Sequence, residues 1–315
     1  MNLRDKVIYI LESNRGSFVS GQTIASLAGV SRNAVSKCVN SLKNDGFIIE
    51  SVNNMGHRLD PACDILTSAG IRAHLDSDPE IFVFEKIDST NSEAKRRISD
   101  IGDAEAIFAT LEQTAGRGRR GRSFYSPKES GLYFSIVLHP SLTLNDATSL
   151  TTATAVAVCE AIKEATKKDP KIKWVNDIFI DGKKVCGILT EAVSDFESGT
   201  VQAVIIGIGI NLTTEDFPED LQGIASSLGT RVIRNALVAD IFKRVRDICL
   251  SLPDKAFMND YRKNCLVLGR SVNFEQNGVV YNARALNVED DGTLLVETDS
   301  SEIMRLNSGE ISVKL

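Results

Sequence analysis

The sequence predicts a multidomain α+β chain, and three observations carry that prediction. The first 60 residues read as short amphipathic helices followed by a hairpin, and they hold seven Lys/Arg against five Asp/Glu, whereas the rest of the chain holds 29 against 37. From residue 81 to 262, apolar strand patterns alternate with helical ones. Beyond residue 270 only short strands and turn signals remain. A mildly basic, helical start joined to an acidic body implies that the two ends do different work.

In the N-terminal stretch, helices are expected over residues 4–14, 22–27 and 32–45. Between the last two, Ala28-Gly29-Val30-Ser31 supplies a turn glycine, an apolar staple and a serine N-cap, the arrangement of a helix-turn-helix. The third helix then presents Arg32, Asn33, Ser36, Lys37 and Asn40 on one side while Val35, Val39 and Leu42 pack inward. Those polar side chains suit base edges and phosphates. Phe47-Ile48-Ile49-Glu50, a turn over residues 53–56 and His57-Arg58-Leu59 read as a wing, with Arg58 a further candidate DNA contact. A winged helix used for protein contacts is the alternative. Pro61 and Pro79 bracket a boundary region with a short helix near residues 68–75.

The next stretch holds the two strongest site signals. A strand over residues 81–87 runs into Asp88-Ser89-Thr90-Asn91-Ser92-Glu93, where Thr90 and Glu93 fit a capping box. The free amides of that helix start, beside Ser89, Thr90 and Asn91, can recognise a small polar head group, or can simply cap the helix. Then, between strands expected over 106–111 and 131–138, comes Gly116-Arg117-Gly118-Arg119-Arg120-Gly121-Arg122, four guanidinium groups among three glycines. Glycine lets such a loop fold closely over a ligand, and arginine presents a fork of donors matched to phosphate and carboxylate. A solvated Gly/Arg segment that binds RNA is the competing reading, but this one lies inside a folded domain.

Residues 145–166 pattern as a scaffold helix with Leu150, Ala153, Val156, Ala157 and Ala161 inward. Lys173-Trp174-Val175-Asn176-Asp177 follows, an aromatic able to stack on a base beside an amide and a carboxylate able to hold hydrated magnesium. Residues 178–180, the Asp181-Gly182 turn and residues 183–189 form a hairpin. Strand alternation allows only one of Lys183 and Lys184 to face a site. The run over residues 201–210 is a continuous apolar strand whose Gly207 and Gly209 let a ligand lie flat against it. It lacks the context of a dinucleotide fingerprint. Helices near 235–252 and 255–262 and strands near 271–276, 279–288, 293–298, 303–306 and 310–313, with an Asn277-Gly278 turn, complete the chain.

Composition narrows the classes further. With 43% hydrophobic and 25% charged residues in 315, the chain is an ordinary globular protein. Its longest apolar run, 201–210, is about half a membrane span. The first residues lack the order of a signal peptide, so a cytoplasmic protein is expected. Six scattered cysteines and three isolated histidines, His57, His74 and His139, give neither a disulfide framework nor a transition-metal site.

Ser89-Thr90-Asn91, Gln113, the glycine–arginine loop, Lys173-Trp174-x-Asn176-Asp177, Gly182-Lys183-Lys184-x-x-Gly187-Ile188-Leu189 and Gly207-x-Gly209-x-Asn211 occur in an order that resembles biotin protein ligases. The N-terminal winged helix makes the chain similar to the bifunctional bacterial form, a biotin ligase and biotin operon repressor. The resemblance implies three domains: a winged helix-turn-helix over 1–62, a biotin- and ATP-binding catalytic domain over 63–269 with the mixed sheet of class II aminoacyl-tRNA synthetases, and an SH3-like β-barrel over 270–315. Val175 departs from the family's usual proline and leaves the turn before Asn176 less rigid.

By that resemblance, the chain activates biotin with ATP and Mg2+ to biotinyl-5′-AMP and transfers it to a lysine of a biotin carboxyl carrier domain. Lys184, Arg119 and Arg117 are the implied catalytic cations. Ser89, Thr90, Asn91, Gln113, Gly116, Arg117, Gly118, Arg119, Lys184, Gly187, Gly207 and Gly209 are implied at biotin, and Arg119, Arg122, Trp174, Asn176, Asp177, Lys184 and Asn211 at ATP. The resemblance also implies operator DNA as a partner and a homodimer promoted by the adenylate. A non-catalytic biotin sensor and a lipoate-type ligase remain as alternatives.

Overall fold

The computed structural model describes residues 1–139, 147–194, 201–276, 278–307 and 311–313. The chain divides into two compact units, one of residues 1–83 with 232–240, the other of residues 84–231 with 241–315.

In the first unit, α1 (Leu3–Ser13), α2 (Gly21–Ala28) and α3 (Arg32–Asn44) each begin at a side-chain cap, Asn2, Ser20 and Ser31. Capping oxygens satisfy amides that a helix start leaves without partners. Gly29 closes α2 in the left-handed conformation at φ 72°, which frees the chain to turn into α3. Apolar residues at helical spacing, Val7, Ile8 and Leu11 on α1, Ile24 on α2, and Val35, Val39 and Leu42 on α3, meet in one core. Each such side chain contributes about 1.5–3 kcal/mol of burial. The hairpin β1 (Ile49–Val52) and β2 (Gly56–Leu59) pairs Ile49 with Leu59, placing both in that core.

The short helix α4 (Ser68–Arg72) starts at Thr67. Asn235 grips the segment before it, accepting from Thr67 N at 3.0 Å and donating to Ile65 O at 3.0 Å, while Arg234 pairs with Asp64. Glu12, with a side chain 2% exposed, binds Arg15 at 2.6 Å and His74 at 2.9 Å, so α1 is also tied to the end of α4's turn. Strand β3 (Glu80–Phe84) carries the chain across the unit boundary.

The second unit begins with α5 (Thr90–Ile101), β4 (Ala106–Thr110), β5 (Gly131–Leu138) and α6 (Ala147–Thr166). It continues with β6 (Lys171–Lys173), β7 (Asp177–Ile180), β8 (Lys183–Ser194) and β9 (Val201–Asn211), then most of α7 (Arg234–Leu250), and α8 (Phe257–Asn264). Six strands of this unit lie in the order β4-β5-β9-β8-β7-β6, each antiparallel to its neighbour. Parallel bridges at Ile87–Gln113, Ile172–Cys265 and Lys184–Ala225 make the pairing mixed, as expected. Every residue of β5 is buried; α5 packs on β4, β5 and β9, and α6 packs on β8, β7 and β6. The expected inward residues of α6, Leu150 to Ala161, are buried; the expected start at Asn145 lies outside the described residues.

The tail forms an antiparallel sheet of β10 (Ser271–Gln276), β11 (Val279–Val288), β12 (Leu294–Thr298), β13 (Ile303–Leu306) and β14 (Ile311–Val313) in the order β13-β12-β11-β10-β14. The expected turn residue Asn277 and strand residue Glu310 lie outside the described residues. No helix among the described residues is long and apolar enough to cross a membrane.

Candidate active site

The start of α5 is the most heavily hydrogen-bonded part of the site. Ser89 is the N-cap and accepts from Ser92 N at 3.4 Å. The expected Thr90–Glu93 box does not form: Thr90 is the first helical residue, its N–H donates to Gln113 Oε1 at 2.9 Å, and Glu93 is taken by Arg96 and Arg97. Two adjacent hydroxyl residues both suit an N-cap, and the one with extended backbone wins. Gln113 Nε2 donates to Ser126 Oγ at 2.9 Å, which fixes the orientation of that amide.

Ser135, fully buried on β5, lies 2.6 Å from Asn91 Oδ1 and 2.7 Å from Thr90 Oγ1. A hydroxyl has one proton; Asn91 Oδ1 can only accept, so Ser135 donates there and accepts from Thr90. Asn91 Nδ2 in turn donates to Glu191 Oε2 at 2.8 Å. A Cβ on Gly207 would stand 2.3 Å from Asn91 Oδ1, and one on Gly209 would stand 2.4 Å from the Phe124 ring. These glycines are expected to let a ligand lie flat on β9; the close approach they permit in this chain is that of Asn91 and Phe124.

The arginine loop is a tight turn. Gly118 N donates to Arg122 O at 2.7 Å and Phe124 N to Gly116 O at 2.9 Å, and Arg120 adopts a positive φ of 55°. Arg117 reaches Glu191 at 3.2 Å, and Arg119 Nη1 donates to Asn176 Oδ1 at 3.0 Å. Glu191 also binds Lys95 at 2.8 Å. Burial alone would raise the Glu191 carboxyl, but hydrogen bonds from Lys95 and Asn91 and the charges of Lys95 and Arg117 hold it below its ordinary value.

On the β7–β8 hairpin, a bulge shifts the register between Ile178 and Phe179, so Cys186 opposes Ile178 while Lys184 opposes Phe179. Lys184 lies half-buried, 2.7 Å from Asp177, while Lys183 is exposed, as strand alternation requires. Asn176 is fixed despite the missing proline: Nδ2 donates to Ile188 O at 2.7 Å and its carbonyl accepts from Ile188 N at 3.1 Å. Its neighbours Trp174 and Val175 are joined by a cis peptide bond. Trp174 is 3% exposed and donates its Nε1–H to Gly292 O at 2.9 Å.

These groups border one cavity of about 1190 Å³. Ser89, Thr90, Asn91, Gln113, Gly116, Arg117, Gly118, Arg119, Arg122, Trp174, Asn176, Asp177, Lys184, Gly187, Gly207 and Gly209 all line it. Asn211, expected at ATP, is absent from the lining. It is buried, donates to Ser226 O at 3.0 Å, and leaves Oδ1 without a partner. Its carbonyl accepts from Leu228, and Ser226 N donates to Lys184 O at 2.8 Å, so Asn211 acts on the segment beside Lys184. Sequence reasoning missed Ser126, Ser135, Phe124 and Glu191; a serine amid the apolar run of β5 was the one visible sign of Ser135. Burial pushes the Cys159 thiol up to about 12 and that of Cys186 higher still, which disfavours the thiolate at both.

On α3 in the first unit, Arg32, Asn33, Ser36, Lys37 and Asn40 are all exposed while Val35 and Val39 are buried. Arg58 differs. It pairs with Glu50 of the wing and lies over the ring of Phe18, before α2, at 4.8 Å, so this candidate DNA contact is engaged within the first unit.

Comparison with known proteins first defines the class. Residues 83–211 match the Biotin/lipoate A/B protein ligase family, residues 4–58 an HTH domain and residues 267–314 the Biotin protein ligase C terminal domain. A biotin protein ligase from Aquifex aeolicus, solved in complex with biotin and ATP, aligns with TM-score 0.64 and 27% identity, covering 75% of this chain and 98% of that one. The bifunctional ligase/repressor BirA of Bacillus subtilis (strain 168) is 34% identical, covering 99% of this chain and 98% of the relative. That of Escherichia coli (strain K12) is 27% identical, covering 98% and 96%. The chain belongs to this family of bifunctional biotin ligase/repressors.

Proposed function

We propose that the chain converts biotin and ATP to biotinyl-5′-AMP, passes biotin to a lysine of a biotin carboxyl carrier domain, and represses biotin genes when the adenylate is bound. The single observation that carries this reading is the convergence of a buried polar pocket at α5 with Arg117, Arg119 and Lys184 around one cavity. Its volume of about 1190 Å³ exceeds the roughly 300–1,000 Å³ of a site for one small molecule, which suits two substrates side by side.

In the first step a biotin carboxylate oxygen attacks the α-phosphorus and pyrophosphate leaves. Both reactants are anions, so the barrier is lowered by holding them together and by cations aimed at the phosphate. Lys184, released from Asp177, is placed to meet the developing charge, with Arg117 and Arg119 over the anhydride. Thr90, Asn91 and Gln113 hold the biotin ring. In the second step a neutral lysine amine attacks the acyl carbon and AMP leaves; the cover of the loop and Phe124 limits hydrolysis.

Among the described residues, no group of three or more His, Cys, Asp or Glu could hold a metal ion. Asp177 beside Asn176 instead fits a magnesium ion that arrives on the phosphates and keeps most of its water, where it would neutralise phosphate charge. The domain division at 62/63 and 269/270, a cytoplasmic location and an adenylate-promoted dimer on a two-fold operator belong to the same proposal.

The test is pyrophosphate release with ATP and either biotin or lipoate. Release that requires biotin is expected; release with lipoate alone, or with neither, overturns the reading. A non-catalytic sensor would need no arginine loop or Lys184 at the cavity.

A further inference from the structure

Glu191 stands outside every recognisable motif, yet three side chains from two parts of the second unit, α5 and the arginine loop, converge on its carboxylate. Lys95 of α5 binds Oε1 at 2.8 Å, Asn91 Nδ2 donates to Oε2 at 2.8 Å, and Arg117 of the arginine loop reaches Oε1 at 3.2 Å and Oε2 at 3.4 Å. The Glu191 side chain is 17% exposed, while that of Arg117 is 45% exposed. We infer that Glu191 is a positioning residue: it fixes the direction of the Asn91 amide and latches Arg117 until an anionic ligand draws that guanidinium away.

The two roles follow from the geometry. Asn91 could present either end of its amide to the cavity, but Ser135 donates to Oδ1 on one side and Glu191 accepts from Nδ2 on the other. Without Glu191, the remaining acceptor for Nδ2 is Leu189 O at 3.4 Å, a longer and weaker contact than the 2.8 Å bond to the carboxylate. The latch, in contrast, is a solvent-screened ion pair on an exposed arginine, which is weak and exchangeable. When Arg117 leaves, Lys95 still neutralises Glu191, so the half-buried carboxylate is never stranded. Pocket and loop thus answer to one carboxylate, and Asn91 and Arg117, which line the cavity, are coupled through Glu191, which does not. This deepens the proposed function and rests on it in one respect, that the anion drawn to Arg117 is the substrate's.

Glu191→Gln and Glu191→Met separate the roles in the full-length protein. Glutamine keeps an acceptor for Asn91 but has no charge to hold Arg117; methionine fills the same volume and has neither. In the ligand-free protein, trypsin should cut after Arg120 and Arg122 several-fold faster in E191Q than in the parent. In an R117A background, E191Q should add nothing, since coupled residues are not additive. Biotin titrated without ATP should bind E191M about tenfold more weakly, the loss of one charge-assisted hydrogen bond, and E191Q within about twofold of the parent. Unchanged cleavage in E191Q overturns the latch, and equal biotin affinities for E191M and E191Q overturn the positioning of Asn91. If the parent binds no biotin, the proposed function fails, while the cleavage comparison still decides the latch.

Discussion

At the start of α5, Thr90, Asn91 and Ser135 are buried and joined by contacts of 2.6–2.9 Å, whereas in the arginine loop across the same cavity Arg117 is exposed and meets Glu191 as a replaceable ion pair, and Arg119 is half-buried and donates to Asn176. The difference matches what each end must recognise. A fixed ring system is best met by donors and acceptors already in place, because ordering them on binding costs conformational entropy. A phosphate that changes charge and shape during the reaction is better met by guanidinium groups that can exchange one anion for another.

The largest expected effect breaks the rigid end. Gly207→Val should weaken biotin binding about 100-fold in a titration, since even a Cβ would stand 2.3 Å from Asn91 Oδ1. Gly118→Ala in the loop should change it less than about threefold, because its nearest contact would be 3.4 Å at a φ of −116°. Next, Ser135→Ala leaves Asn91 Oδ1 without its buried donor and should weaken biotin about tenfold, with KM for ATP nearly unchanged. Equal effects on both substrates would mean that the pocket and the loop are one cooperative body.

How much of this contrast could be read from the sequence follows the same physics. The hydroxyl and amide residues at a strand-to-helix turn and the glycine–arginine run stand out because their residue types are costly unless used. Lys184 could be chosen over Lys183 by the family position, and alternation on the strand agrees. The roles of Ser135 and Glu191 could not be read, because their partners lie 44 and 100 residues away along the chain. The glycines of β9 announced a close approach but not what approached, which proved to be Asn91 and Phe124. Strand β6 is three residues long, too short to carry a period. In the first unit, caps and periodicity located all three helices to within two residues, whereas the engagement of Arg58 by Glu50 and Phe18 is a tertiary contact that no local pattern carries.

The first unit, taken by itself, repeats the contrast between engaged and available side chains. Lys37→Ala should lower the salt slope of operator binding by about one, the loss of a phosphate contact. Arg58→Ala should change the slope less, its charge being paired in the wing. The smallest effect concerns pH. Burial, and then the charge of Lys43, hold His57 below its ordinary value, so the unfolded chain takes up that proton first as pH falls. The stability His57 contributes is therefore complete above about pH 6.5 and is lost as pH falls from there through the folded value. Thermal unfolding of the N-terminal transition should show this decline, and His57→Gln should flatten it.

Single-turnover formation of biotinyl-5′-AMP, measured for Lys184→Gln beside Lys183→Gln, tests most directly the claim that one cavity brings the cations to the phosphate. Lys184 lines that cavity 2.7 Å from Asp177 and Lys183 is exposed, so the first substitution should slow the step about 100-fold or more and the second less than about threefold. Equal losses, or a larger one for Lys183, would contradict the assignment of the site.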